Sequence, residues 1–218
     1  MNVQKVFVYG ASGHGKVVGD ILFACRNSAF VGFIDDRADL RDARVLGLPV
    51  FGDGQWLQKQ TSHTSVGVVL GVGDNFVRRS LAEKCISWGT ELITLVHPRA
   101  SVSNSARLGR GTVVMAQAAI NADAKIGTGA IVNTSAVIEH DVEIGDFANV
   151  SPNAVMGGAS RLGDLSHLCI GASAIPCVSI GANTVAGAGS VVVRDIPDGV
   201  VAFGVPARVR RTLESCRQ

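Results

Sequence analysis

Residues 126–150 read IGTGAIVNTSAVIEHDVEIGDFANV, and an aliphatic side chain returns at every sixth position: Ile126, Val132, Ile138, Ile144 and Val150. The period runs back through Ile120, Val114 and Leu108 to Val102. It runs on through Met156, Leu162, Leu168, Ala174, Ile180 and Ala186 to Val192. The residues two places earlier, from Ala100 to Ser190, are never larger than valine, and glycine follows the aliphatic position at 109, 127, 145, 157, 163, 181 and 187. A helix repeats at 3.6 residues and a strand at 2, so neither yields a period of six. A chain that turns a corner every six residues does, with each aliphatic side chain pointing into a triangular prism. Three faces make a coil of about eighteen residues, and stacked coils form a parallel β-helix solenoid. The small residues suit the cramped corners, and the glycines are expected to take backbone angles that other residues avoid. About five coils follow one another without a protruding loop.

The first half has no such period. Lys5-Val-Phe-Val-Tyr-Gly10 is a short buried strand, followed by Ala11-Ser12-Gly13-His14-Gly15 and then a helical pattern over Lys16–Leu22. Strand, glycine turn and helix place backbone N–H groups where they can face an anion. The strand Phe30–Ile34 ends in Asp35-Asp36, about twenty residues past the glycines, where carboxylates accept ribose hydroxyls. Val66–Leu70 is a third strand, ending in Gly71-Val72-Gly73. A helix is expected over 76–88, and a strand over 91–96 runs into a hinge at His97-Pro98. The spacing G-x-x-G-x-G departs from the dinucleotide fingerprint, so a tight turn without a ligand and a nicotinamide site stand as rivals. Fewer than 100 residues for both cofactor and hydride chemistry argue against the latter.

The 20 Lys and Arg against 18 Asp and Glu give no basic field for nucleic acid. Aromatic residues are 5% while glycine reaches 26 residues, which suits a narrow interior with tight turns. Cys25, Cys85, Cys169, Cys177 and Cys216 show no metal-ligand or disulfide spacing. They read as buried free thiols in a reducing compartment. With no signal peptide pattern and no apolar run long enough to span a bilayer, the expectation is a cytoplasmic protein. Among candidate chemical groups, His140 stands out, two residues past inward Ile138 and flanked by Glu139 and Asp141. A neutral imidazole there can take a proton from an attacking amine or hydroxyl, while a carboxylate fixes its tautomer.

The repeat resembles the hexapeptide-repeat acyltransferases, whose coil is left-handed. Three segments extend the resemblance over nearly the whole chain: Tyr9-Gly-Ala-Ser-Gly-His-Gly15, Asn133-Thr-Ser-Ala-Val-Ile-Glu-His140 and Phe203-Gly-Val-Pro-Ala207. They are similar to bacterial sugar O-acetyltransferases of the sialic-acid type and UDP-amino-sugar N-acetyltransferases. The resemblance implies a Rossmann-like α/β sugar-nucleotide-binding domain at 1–97. A left-handed parallel β-helix with a C-terminal segment would follow at 98–218, its coils ending near 193. It implies acetyl-CoA as co-substrate, no metal, and a nucleotide-linked amino sugar as acceptor in bacterial glycan biosynthesis. By the same resemblance, His140 is the general base and Asp141 its carboxylate. Ser12, Gly13 and His14 meet the diphosphate region, and Asp35, Asp36 and Gly73 meet the nucleoside. Gly158 offers a backbone N–H to the acetyl carbonyl, Ile170 and Ala188 line the pantetheine arm, and the Gly204–Ala207 loop lies near the CoA end. Asn149 stands where the family often has a second histidine beside acetyl-CoA. His167 is expected to be structural or merely exposed, and His63 and His97 have no assigned role. A homotrimer with acetyl-CoA between subunits is implied. O-acetylation of a sialic acid and a non-enzymatic solenoid remain as alternatives. A sugar-nucleotide pyrophosphorylase is disfavoured by the short N-terminal half.

Overall fold

The computed structural model describes residues 3–62 and 65–213; His63 and Cys216 lie outside the described residues. Contacts divide the chain into two units, Met1–Pro98 and Arg99–Gln218.

In the first unit, β1 (Lys5–Tyr9), α1 (Gly13–Ala24) and β2 (Phe30–Ile34) are followed by a small hairpin, β3 (Arg44–Val45) and β4 (Leu48–Pro49). Then come α2 (Gly54–Thr61), β5 (Val66–Leu70), α3 (Asn75–Ser87) and β6 (Glu91–Leu92). The main sheet has the order β2-β1-β5-β6 and is parallel throughout. A parallel sheet is covered on both faces and needs continuous apolar strands. Accordingly Val6–Tyr9 and Val66–Leu70 are buried at every residue. The expected strand over 91–96 is broken into Glu91–Leu92 and Leu95–Val96. The hairpin and α2 occupy a stretch whose sequence gives no strong period. Asp53 caps α2 by accepting from Trp56 N–H at 2.9 Å, and Asp74 caps α3 by accepting from Phe76 and Val77 N–H.

The second unit is the solenoid. From Ser101 to Val192 its strands are two residues long and pair in parallel with an offset of eighteen, as in Ile120↔Ile138 and Ile138↔Met156. The offset shortens to sixteen at the last pairing, Val185↔Val201. Face one carries Val113–Val114, Ile131–Val132, Asn149–Val150, His167–Leu168, Val185–Ala186 and Val200–Phe203. Face two runs from Ser101–Val102 through Val137–Ile138 to Val191–Val192, and face three from Arg107–Leu108 through Glu143–Ile144 to Ser179–Ile180. The inward aliphatics from Val114 to Val192 are buried, whereas Val102 and Leu108 at the first coil are only half-buried. Each buried aliphatic contributes about 1.5–3 kcal/mol. Arg208–Thr212 pairs antiparallel with Val200–Phe203.

Two expectations are corrected. The left-handed backbone angles fall three residues after the inward position, at Gln117, Asp123, Ser135, Asp141, Phe147 and Asn153 among others, not at the glycines that follow it. Those glycines serve stacking. A Cβ on Gly109 would lie 2.5 Å from Thr128 N in the next coil, and one on Gly163 would lie 2.5 Å from Ala182 N. The thiols also differ from expectation: Cys85 is buried and held up at about 12 by that burial, but Cys25 and Cys177 are exposed and Cys169 is half-buried.

Candidate active site

The solenoid corner that follows face two carries His140 and Asp141. Asp141 has φ of 59°, which throws its carboxylate back beside the preceding ring. His140 Nδ1 and Asp141 Oδ2 are 2.8 Å apart, and both side chains are more than half exposed. The hydrogen bond to Asp141 raises the imidazole above its ordinary value, and the charges of Asp141 and Glu139 add to this. With Nδ1 engaged, Nε2 is the nitrogen left for chemistry. One coil on, Gly158 keeps it accessible: a Cβ there would meet His140 Nε2 at 2.6 Å. His140, Asp141 and Gly158 are thus brought together.

Ile170 is 60% exposed and Ala188 is also exposed; both lie on the corner that follows face one. Within one chain they belong to a different edge of the prism from His140. Asn149 projects from face one, is buried, and its Oδ1 has no hydrogen-bond partner. Its strand neighbour His167 bonds Ser151 Oγ at 2.7 Å.

In the first unit, Ser12, Asp35 and Asp36 line one cavity of about 290 Å³ with Tyr9, Gly10, Arg37, Val72, Val77 and Leu81. It lies at the carboxyl ends of β1, β2 and β5. Strand order reverses there, since β2 pairs on one side of β1 and β5 on the other; open α/β sheets bind ligands at such points. Of its two glycine turns, Gly10 and Ser12 of one and Val72 of the other line it, whereas Gly13, His14 and Gly73 are not among its lining residues. Gly10 has φ of 112°, and a Cβ on it would lie 2.6 Å from Gly71 O, so the turns interlock. Gly13 and Gly73 are different: a Cβ on either would meet nothing within 4 Å.

The two carboxylates divide their work. Asp35 accepts from Ala11 N–H at 2.8 Å and from Arg37 N–H and Nε at 3.0 and 3.1 Å. Partial burial pushes its carboxyl upward, but these bonds outweigh it and hold the group below the ordinary value. Asp36 uses Oδ1 for Tyr9 OH and Gly54 N–H, at 2.8 and 2.9 Å, and is exposed. His14 has a buried Nε2 without a hydrogen-bond partner; burial and the Arg78 charge lower it to about 4, so it is neutral near pH 7.

Tyr9 and Arg78 were missed by the sequence reasoning. Arg78 shares a stripe with Leu81, Ala82 and Cys85, so a cation at apolar spacing was the available signal. A concavity of about 550 Å³ runs along face three beside Lys125, Glu143 and Arg161 and contains none of the expected site residues. Among the described residues no group of His, Cys, Asp or Glu could hold a metal ion, and no helix is long and apolar enough to cross a membrane.

Residues 5–85 match the family described as the PglD N-terminal domain. A stretch of 122 residues is 38% identical to the UDP-N-acetylbacillosamine N-acetyltransferase of Bacillus subtilis, and it spans 52% of this chain and 52% of that relative. The crystal structure of PerB from Caulobacter crescentus, in complex with CoA and GDP-perosamine, is 42% identical with a TM-score of 0.89. The match covers 96% of this chain and 98% of that one. The acetyltransferase domain of PglB from Neisseria gonorrhoeae, in complex with acetyl coenzyme A, is 36% identical with a TM-score of 0.89, covering 96% of this chain and all of that one. The chain therefore belongs to the hexapeptide-repeat sugar acetyltransferases, which join a PglD-type N-terminal domain to a left-handed parallel β-helix.

Proposed function

We propose that the protein transfers the acetyl group of acetyl-CoA to the amino group of a nucleotide-linked amino-deoxy sugar, of the UDP type, in bacterial glycan biosynthesis. The observation that carries this reading is the His140 ring, tethered by Asp141 on Nδ1 and open at Nε2 beside Gly158. The sugar amine attacks the thioester carbonyl carbon, and the carbonyl electron pair moves onto oxygen, where the Gly158 N–H can meet it. His140 Nε2 takes a proton from the nitrogen as the C–N bond forms. The intermediate collapses with loss of the C–S bond, and the proton passes from His140 to the departing thiolate. Asp141 stabilises the transient imidazolium.

In this reading Ser12, Gly13 and His14 meet the diphosphate. Asp36 offers its second oxygen to a ribose hydroxyl near Gly73. Asp35 acts indirectly, by fixing Ala11 and Arg37. Ile170, Ala188 and Asn149 take the pantetheine arm.

The solenoid supports a homotrimer. Face three is charged on its outside through Arg107, Lys125, Glu143 and Arg161. Face two carries the half-buried apolar residues Val137, Val155 and Val191 on its outside, and face one adds Val185. Half-buried valines on each prism give every copy a surface to bury against a neighbour, and a closed ring leaves none of them uncovered. The edge with His140 then meets the edge with Ile170 and Ala188 of a neighbour. The four cysteines among the described residues form no disulfide, which fits a cytoplasmic setting.

Mass spectrometry of products from UDP- and GDP-linked amino sugars, with free sialic acid alongside, tests the reading. An acetamido product from a nucleotide sugar and none from sialic acid is expected. Acetylation of sialic acid alone would overturn it. Sedimentation should give three times the 22.6 kDa chain mass.

A further inference from the structure

The Gly71–Gly73 turn is held by a buried charge. Arg78 is 0% exposed. Its Nη1 donates to Val72 O at 3.2 Å and Gly73 O at 2.9 Å, and its Nη2 donates to Asn75 Oδ1 at 2.9 Å. Burying a guanidinium is costly, and an apolar side chain of similar length would fill the stripe at lower cost. What the guanidinium adds is a fixed fork on two carbonyls of the turn that walls the cavity. The Gly10–Gly15 turn interlocks with Gly71, and it carries His14, whose buried Nε2 has no hydrogen-bond partner.

We propose that Arg78 is a positioning residue of the sugar-nucleotide site: it fixes the Val72–Gly73 turn against the Gly10–Gly15 turn and leaves the ring nitrogen of His14 to the bound diphosphate. This rests on the proposed function. Arg78 does not touch the nucleotide; it sets the wall and lends a positive field to a floor that receives an anion. Three features support the assignment together: the fork on the turn carbonyls, the unpartnered nitrogen opposite, and the open space at Gly13 and Gly73.

The test is calorimetric titration of the full chain with UDP, GDP and acetyl-CoA. Arg78→Lys keeps the charge and loses the fork; Arg78→Met keeps the bulk and loses both. Relative to the wild type, the lysine variant should bind the preferred nucleotide about tenfold more weakly and the methionine variant about a hundredfold, each hydrogen bond to a charged group being worth roughly that order. Acetyl-CoA affinity should stay within about twofold in both, which a general loss of structure would not allow. Nucleotide affinity within twofold of wild type in folded Arg78→Lys overturns the proposal, as does a parallel loss of acetyl-CoA binding. If the methionine variant does not fold, the lysine variant decides alone. Gly13→Leu is the control for the underlying reading, because it puts a side chain where a Cβ meets nothing within 4 Å, next to cavity-lining Ser12. If it leaves UDP and GDP binding intact, or if neither nucleotide binds the wild type, the nucleotide assignment of this unit fails, and the role of Arg78 with it. If Gly13→Leu blocks binding while Arg78→Lys does not, only the role of Arg78 falls.

Discussion

The solenoid and the N-terminal sheet bury apolar side chains by opposite routes. In the solenoid every inward residue repeats the one eighteen positions before it, so stability is a sum of nearly identical layers. In the sheet no two positions are equivalent, and single groups such as Asp35 and Arg78 decide the shape of a turn. Local disturbance should therefore act through layer packing in one unit and through specific polar bonds in the other.

The sharpest way to break this contrast is Ile144→Asp. Ile144 is 3% exposed between Ile126 and Leu162, and the narrow prism offers no partner for a charge. The variant should lose about 4 kcal/mol or more, seen as a drop in Tm or loss of folded protein. A melt like that of the wild type would refute the layered core.

The proposed chemistry on the solenoid sits where one large side chain, His140, lies over one glycine, Gly158. His140→Ala should lower kcat by about 10²–10⁴-fold while the KM for acetyl-CoA stays within a few-fold. Protonation stops the base, so the wild-type rate should fall as pH drops through a His140 value held above the ordinary one by Asp141. Asp141→Asn removes that support, so its acid limb should move to lower pH and the plateau should fall less than in His140→Ala. An acid limb unchanged in His140→Ala belongs to the amine substrate. Near-wild-type kcat in that variant would remove His140 from the role of base.

Legibility followed the same division. Six-residue spacing is written into the side chains themselves, so the inward column and the outward His140 could be assigned from the sequence. The reason for the post-aliphatic glycines could not, because a close approach between coils is a contact over eighteen residues. In the sheet, the strands and the glycine turn were readable from apolar runs and turn residues. The engagement of Asp35 with Ala11 and the burial of Arg78 were not, because both depend on which turns become neighbours.

His14 gives the sheet a pH signature of the opposite direction from that of His140 on the solenoid, since burial lowers it whereas Asp141 raises His140. Its value is lowered to about 4 by burial and then by Arg78, so between about pH 6.5 and 4 the unfolded chain binds a proton that the folded one does not. Stability rises with pH in that window, is full above it, and is lost as pH falls toward 4. The contribution is on the order of 3 kcal/mol, and His14→Asn should flatten this part of a stability-versus-pH curve. A curve of unchanged slope would mean that His14 is protonated in the folded protein.

The smallest effect divides the two units most cleanly, because one substitution should act with opposite signs. In the solenoid, Gly145→Ala places a Cβ 2.5 Å from Asp164 N and 2.7 Å from Gly163 C of the next coil, backbone atoms that cannot step aside without parting the layers. It should cost about 1–3 kcal/mol, as overpacking does, and leave nucleotide affinity unchanged. In the sheet unit, Gly13→Ala meets nothing within 4 Å and falls on the first residue of α1, where alanine restricts the unfolded chain more than glycine does. It should therefore hold or raise stability by about 0.5 kcal/mol. The same methyl group projects into space that packing leaves free, so it should weaken UDP or GDP binding. Thermal melts of both variants, with nucleotide titrations beside them, read the two signs. If Gly13→Ala destabilises the protein and binds nucleotide like the wild type, then glycine is there for the backbone, and the open space belongs to no ligand.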